Sequence, residues 1–336
     1  AFSTAALTVT AGTFTLTNDV EITGTVTNNG NINVQGRVLD INDYTGTGNM
    51  EIGNNGQLTS SNAASETVNN ITFNGASSTI NGGAGLTLGV TSYGSTSLVT
   101  TGTVSLPSGT IVSLDVQSGT TSANALTVNS NVVIDAAGTL TLTSTNTVTG
   151  DLTVTGSLTS TTGVLILEGN LSLPVTASSF DANGGTIRFT GTGDQTVNPG
   201  LNGALVNAFS TIDIAKTGGS ITFTNPLTVT TLTQGSANAV GITFNQNLTV
   251  TDAVAFNTSG TVTLGDEDTD EFIFNGGVTH TAGDTTLSNR LETSDAAVTL
   301  GNLTLGTNAE IDSGTALTSI LGTTTGNTHD LTITGD

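Results

Sequence analysis

Cysteine is absent, so no disulfide braces this fold, no thiolate ligates zinc and no thiol serves as a nucleophile. Tryptophan is absent too, and aromatic residues make up only 4% of the 336 positions. A globule of that size ordinarily fills a wide core with rings. A core a few side chains across, built from Val, Ile, Leu and an occasional Phe, does without them. Basic residues number four, Arg37, Arg188, Lys216 and Arg290, against 26 Asp and Glu, for a formal net charge of −22. So little cationic surface cannot displace counterions from phosphates, which excludes nucleic acid and anionic membrane surfaces as partners. No stretch approaches the roughly 20 consecutive apolar residues of a membrane span, so membrane insertion is not expected. Helix is disfavoured as well, because Ala, Glu, Lys and Arg are few and no long window repeats at the helical period.

What the chain does have is one short phrase, repeated: an apolar–Thr–apolar triplet followed by Gly, Asn, Ser or Thr. It reads Leu7-Thr8-Val9, Phe14-Thr15-Leu16, Leu140-Thr141-Leu142, Leu152-Thr153-Val154, Leu227-Thr228-Val229, Leu248-Thr249-Val250, Val262-Thr263-Leu264 and Leu331-Thr332-Ile333. Alternation puts the apolar residues on one face of a strand and Thr, whose branched Cβ favours extended backbone, on the other. Each copy is too short to bury a face alone, whereas stacked copies bury a continuous one. Apolar beats recur every six or seven residues, as at Val20, Val26, Ile32 and Val38. Three such strands make a coil of roughly 18–22 residues, and the chain makes on the order of 16 coils. Strands stacked about 4.8 Å apart would then extend over roughly 75–80 Å. The expected fold is therefore all-β, a single parallel β-helix (β-solenoid) over residues 1–336. Gly and Asn between the triplets supply the positive-φ corners, and Asn28, Asn29, Asn31 and Asn33 are candidates for stacked amide ladders. Polar residues 59–70 read as an outward loop. Asn198-Pro199-Gly200 is a turn signal, which places a kink or subdomain boundary near 174–210. The structural alternative is a tandem of β-sandwiches, whose strands are usually longer and alternate over five or six residues.

The run from Gly191 to Gly235 carries a recognisable cadence: Gly193-Asp194-Gln195-Thr196-Val197, then Phe209 to Gly219, then Leu227-Thr228-Val229. With the triplets elsewhere it resembles the β-strand repeats of large bacterial surface proteins, the filamentous-haemagglutinin-like and autotransporter-passenger β-solenoids. That resemblance implies a right-handed parallel β-helix, secretion to the bacterial cell surface, and a structural or adhesive role. The resemblance lacks two parts of those families, a secretion-domain motif near the N-terminus and a C-terminal membrane barrel. An opening at Ala1 without Met or a basic, apolar leader fits a removed secretion signal or a segment of a longer protein. Acidic, Lys-poor chains are common outside cells, where salt or divalent cations screen the repulsion.

Chemistry-bearing residues are sparse. Asp266, Glu267, Asp268, Asp270 and Glu271 put five carboxylates in six positions. Such a group is a candidate Ca²⁺ site, since that ion takes six to eight oxygen ligands; the plainer reading is a solvated acidic turn. Gly82-Gly83-Ala84-Gly85-Leu86 resembles the start of a calcium-binding nonapeptide, but without its Asp or its repeat it reads as a turn. His280 and His329, the two histidines, have no partners that spacing identifies. Parallel β-helices also carry polysaccharide lyases and hydrolases. A lyase needs cationic groups around its acidic substrate, a hydrolase needs two placed carboxylates, and Asp135, Asp151 and Asp181 are too scattered to form a pair. An enzyme is not expected.

The cadence begins by Leu7 and persists to Ile333, with no amphipathic capping helix at either end. Uncapped coils leave strand edges that pair with another chain. Identical chains stacking head to tail form a filament. The expected partner is thus the chain itself, with a surface or matrix polysaccharide as a further candidate. The expected assembly residues are Leu7, Val9, Phe14 and Leu16 on one side and Leu317, Ile320, Leu331 and Ile333 on the other. The alternative function is the shaft or passenger segment of a bacterial adhesin.

Overall fold

The computed structural model describes residues 2–61, 66–94, 96–173, 180–200, 208–235 and 238–335. The chain divides into two compact units, Ala1–Thr161 and Thr162–Asp336. Each is all-β. Among the described residues there is no helix, and so none that is long and apolar enough to cross a membrane. Each unit is built of parallel ladders in which a strand pairs with the strand one coil further along, so each is a β-solenoid. β-Sandwiches require antiparallel pairing within hairpins and Greek keys, and no ladder described here has it.

In the N-terminal unit one ladder runs Val20, Leu39, Leu58. A later stretch of ladder runs Leu98, Leu114, Val132, Leu152. Another face stacks Phe14, Ile32, Met50 and Ile71. Ile32, Met50 and Ile71 are fully buried. The apolar–Thr–apolar triplet behaves as its alternation requires: Leu126–Val128 and Leu152–Val154 bury both outer residues and leave Thr half-exposed. Burying each Val or Leu contributes about 1.5–3 kcal/mol, so a ladder of them carries the stability that no one coil has.

The C-terminal unit follows the same plan with larger side chains. One ladder runs Val197, Phe223, Phe244, Leu264, Leu287, Leu305. Eight of the eleven phenylalanines lie in this unit, at 180, 189, 209, 223, 244, 256, 272 and 274. Phe223 and Phe244 stack in register, with centroids 4.8 Å apart and planes 11° from parallel. Phe189 meets Phe223 edge-on at 6.0 Å, and Phe256 bridges Phe244 and Phe274 at 6.5 and 6.4 Å. Five of the eight thus form one continuous column, and Phe180 and Phe209 pair apart from it at 5.0 Å.

Paired residues are separated by as few as 16 positions (Thr100 and Val116) and as many as 26 (Val197 and Phe223), a wider range than the triplet spacing predicts. Corners absorb the difference. Among the described residues, eight non-glycine residues have positive φ, and five of them are Asn: Asn55, Asn70, Asn183, Asn289 and Asn327. Their short amide tolerates the left-handed region better than other side chains. The amide ladder expected at Asn28, Asn29, Asn31 and Asn33 takes a different form. Buried Asn28 donates to the Tyr44 hydroxyl and to the Asn49 carbonyl, at 3.1 and 2.9 Å, and Asn33 reaches Glu51. An amide-to-amide step does occur elsewhere, from Asn225 to Asn198 at 3.0 Å.

The outward loop read at 59–70 is shorter than expected. Strands Gly56–Ser60 and Glu66–Phe73 occupy both of its ends: Leu58 and Val68 point inward, and a bulge at Asn70, φ +55°, turns Ile71 inward as well. Residues 62–65 lie outside the described residues, as do 174–179 and 201–207 within the expected boundary region. Gln195–Asn198 is a strand, followed by Gly200 at φ +96°. Gly82 to Gly85 form a turn closed by the Gly85 amide on the Gly82 carbonyl, 2.9 Å.

Candidate functional site

The acidic segment sits between strands Val262–Leu264 and Glu271–Phe274. Leu264 and Phe272 must both point inward, so the chain has to turn between them, and Gly265 at φ +84° starts that turn. Asp270 folds back under it. Its Oδ2 accepts the backbone N–H groups of Asp266 and Glu267, each at 3.1 Å. Burial pushes the Asp270 carboxyl upward, the two amides hold it partly down, and the neighbouring Asp266 raises it again. Glu271 points to Arg290, 3.9 Å away, and its amide is held by Asn247. Asp266, Glu267 and Asp268 remain exposed. One inward carboxylate closing its own loop, three outward and one facing a guanidinium do not converge. Among the described residues no three Asp, Glu or His side chains are gathered to hold a metal ion. Two grooves flank the loop. One, of about 550 Å³, is lined by Pro226, Asn245, Asn247, Glu267 and Asp270. The other, of about 600 Å³, brings Asp266, Asp268, Asn289, Asn308 and His329 around it.

The few basic side chains are placed with care. Arg188 pairs across the ladder with Asp213, Nε to Oδ2 2.7 Å. Arg290 lies beside Glu292 and Asp312, each 3.0 Å away, and Glu271. Desolvation pulls its pKa down, but Glu292, Glu310, Asp312 and Glu271 more than offset this and hold the guanidinium charged. Lys216 is fully buried, a placement with no signal in the sequence. Its Nζ donates to the Gly193 carbonyl at 2.7 Å and to Gln195 Oε1 at 2.9 Å, and Gln195 Nε2 in turn donates to the Leu167 and Gly169 carbonyls. A buried cation is tolerated only with such partners, and here it ties a corner of one coil to the next.

His280 is likewise buried, edge-on to Phe256. Nε2 lies 3.2 Å from the Thr258 carbonyl, which can only accept, so Nε2 carries the proton and Nδ1 accepts from the Thr285 hydroxyl at 2.9 Å. Desolvation lowers its pKa below 6.5, opposed by the Thr258 carbonyl and Asp284. A histidine whose folded pKa is depressed contributes stability that is fully present above the unfolded value and is lost as pH falls through the folded one. Thermal unfolding midpoints should therefore fall as pH drops from 7 towards 5.5. His280→Gln, which cannot be protonated there, should flatten that slope; an unchanged slope would show that His280 does not carry it.

The expected assembly residues separate into covered and uncovered ones. Strands Phe2–Thr4, Leu7–Val9 and Thr13–Thr15 form the first described coil, and each pairs with the second coil only. At the other extreme, Thr318–Ile320, Thr324–Thr325 and Leu331–Thr334 each pair with the preceding coil only. Val9 and Leu16 are buried, at 6% and 3% exposure. Leu7, Ile320 and Leu331 are half-buried. Phe14, Leu317 and Ile333 are exposed, at 36%, 72% and 53%. Two further residues join them that the triplet pattern does not mark: Phe2 at 59%, which stacks on Val20, and Leu321 at 69%, which follows Ile320. Among the described residues, these five are the large apolar side chains left exposed, and all belong to the outermost coils.

No protein-family model matches the chain, and no curated protein or solved structure is similar to it. The solenoid geometry, the acidic surface and the two open coil faces are therefore what bears on function.

Proposed function

We propose that this is a secreted structural protein whose solenoid coils stack head to tail, joining copies into an extracellular filament or surface layer. The observation that carries the reading is the confinement of exposed Phe2, Phe14, Leu317, Leu321 and Ile333 to the two outermost coils. Exposed strand edges are normally protected by Lys, Pro or charge. Here residues 2–18 contain no charged side chain, residues 313–335 contain Asp330 alone, and neither stretch has Lys, Arg or Pro. Apolar, uncharged edges in a chain of net charge −22 favour contact at the ends, while repulsion between the acidic sides opposes lateral clumping. A heterologous contact of this kind does not close and grows in one dimension. The second reading is a shaft or passenger segment of an adhesin-like surface protein, favoured by the same open faces, which further coils of a longer chain cover as well as a second copy does.

Sedimentation velocity and electron microscopy of the purified chain over a range of concentrations separate the two readings. Linear polymers that lengthen with concentration are expected. The double variant Phe14→Glu, Leu321→Glu should return single particles with an unchanged far-ultraviolet circular dichroism spectrum, because each new charge meets solvent in the monomer and an apolar face in the junction. Single particles of the unsubstituted chain at every concentration would overturn the proposal in favour of the shaft.

A further inference from the structure

The two open coils also specify how they meet. Resting on the head-to-tail reading, we propose that one copy's Phe2–Thr4, Leu7–Val9 and Thr13–Thr15 add in parallel to the next copy's Thr318–Ile320, Thr324–Thr325 and Leu331–Thr334, in that order and register.

Three features fix the match. The first is facing. Phe2 and Phe14 stack on buried Val20 and Ile32, so they point inward and Ser3 and Thr15 point outward. Ile320 and Ile333 stack on buried Leu300 and Ile311, so Ser319 and Thr332 point outward. A slip of one residue would turn an apolar set to solvent, which excludes odd registers.

The second is the length of each side of the coil. Inward positions of the first coil begin at Phe2, Leu7 and Phe14, in steps of five and seven. Those of the last coil begin at Thr318, Thr324 and Leu331, in steps of six and seven. Only the proposed order lays the seven-residue side on the seven-residue side. Rotating one copy by a strand sets a five-residue side against a seven-residue one, or a seven against a six.

The third is volume. In this register Phe2 lies over Thr318 and Thr4 over Ile320, so large meets small at each step. The uncovered Leu321 falls opposite Ala5, where a methyl group leaves it room. On the third strand apolar meets apolar, with Phe14 over Leu331 and Leu16 over Ile333. Interdigitation of large with small is how a core reaches native density without strain. Four of the five exposed side chains, Phe2, Phe14, Leu321 and Ile333, are accommodated by the one contact.

The absence of native cysteine makes the register directly readable. Neighbouring strands lie about 4.8 Å apart, within the Cα separation a disulfide spans. The variant Ser3→Cys, Ser319→Cys has thiols on the outer face, away from the packed interior. Under mild oxidation it should give a ladder of covalent multimers on a non-reducing gel, with roughly tenfold or more linked product than the rotated pairs Ser3→Cys, Thr325→Cys and Ser3→Cys, Thr332→Cys, since only aligned thiols have a high effective concentration. Thr15→Cys, Thr332→Cys is a second aligned pair, and it must link to the same degree. Polymers that link only through a rotated pair, or through none, would overturn this register and leave head-to-tail assembly standing. A chain that stays single by sedimentation would overturn both.

Discussion

Phe244→Ala is expected to destabilise the C-terminal unit by about 3–5 kcal/mol, the range for emptying a buried aromatic position. Phe244 is 1% exposed. Its ring stacks on Phe223 at 4.8 Å and contacts Phe256 at 6.5 Å, so truncation opens a void in the middle of the column rather than at its rim. Ladder neighbours cannot collapse into that void, because their backbones are held one strand spacing apart by hydrogen bonds above and below. Beyond the area lost, each aromatic pair forfeits about 0.5–1.5 kcal/mol. Urea unfolding followed by circular dichroism measures the change. Phe14→Ala is the matched control: the same truncation at a residue 36% exposed on the first coil should cost the single chain much less and show its effect in polymer length instead. Equal losses in both variants would mean that the phenylalanine column contributes no more than surface packing.

The contrast between those two phenylalanines marks what could be read from the sequence. Both sit in the same apolar–Thr–apolar phrase, and that phrase establishes strand, facing and stacking wherever it occurs, because alternation and the need to bury a face are local facts. It cannot tell an inner coil from an outer one. Val9 and Leu16 share the pattern of Phe14 yet are buried, while Phe2 and Leu321 lie outside any triplet and are exposed. Corners were foreseeable in kind, since Asn and Gly take positive φ, but their lengths were not. Coils of 16 to 26 residues come from loops that extend freely without disturbing the ladder.

Polar residues in the interior were the least legible. Thr100 occupies a position between Ile80 and Val116 in its ladder, and its hydroxyl is 2.8 Å from that of Thr121, also buried. Lys216 looks like one of four scattered cations until Gln195 and the Gly193 carbonyl are seen around it. Asp270 belongs by sequence to an acidic run, yet it is the one member that turns inward to close the loop. In each case the partner comes from a distant part of the chain or from the backbone, and neither leaves a mark at the residue itself.

Gly46→Ala should have an effect as large as the loss of Phe244, from backbone alone. Gly46 has φ +120°, a conformation that side-chain-bearing residues avoid, at a cost of about 1–3 kcal/mol. A Cβ there would also overlap the carbonyl oxygen, carbonyl carbon and amide nitrogen of Asn28 in the preceding coil. Asn28 cannot yield: its carbonyl accepts the Gly48 amide at 2.8 Å, and its side chain is tied to Tyr44 and Asn49. The two coils must separate at this corner or the turn must be rebuilt, so a loss of about 3 kcal/mol or more is expected, at the diagnostic end for one substitution. Tyr44 reports it locally, because both tyrosines of the chain, Tyr44 and Tyr93, lie in the N-terminal unit and tryptophan is absent. Its fluorescence transition in urea should move to lower denaturant. Two controls divide the causes. Gly12→Ala, at φ +77° with nothing within 4 Å, isolates the conformational cost, about 1–2 kcal/mol. Gly193→Ala, with open space and no positive φ, should be close to neutral, within about 0.5 kcal/mol. Were Gly46→Ala no worse than Gly12→Ala, the tight approach of successive coils at Asn28 would have to be abandoned.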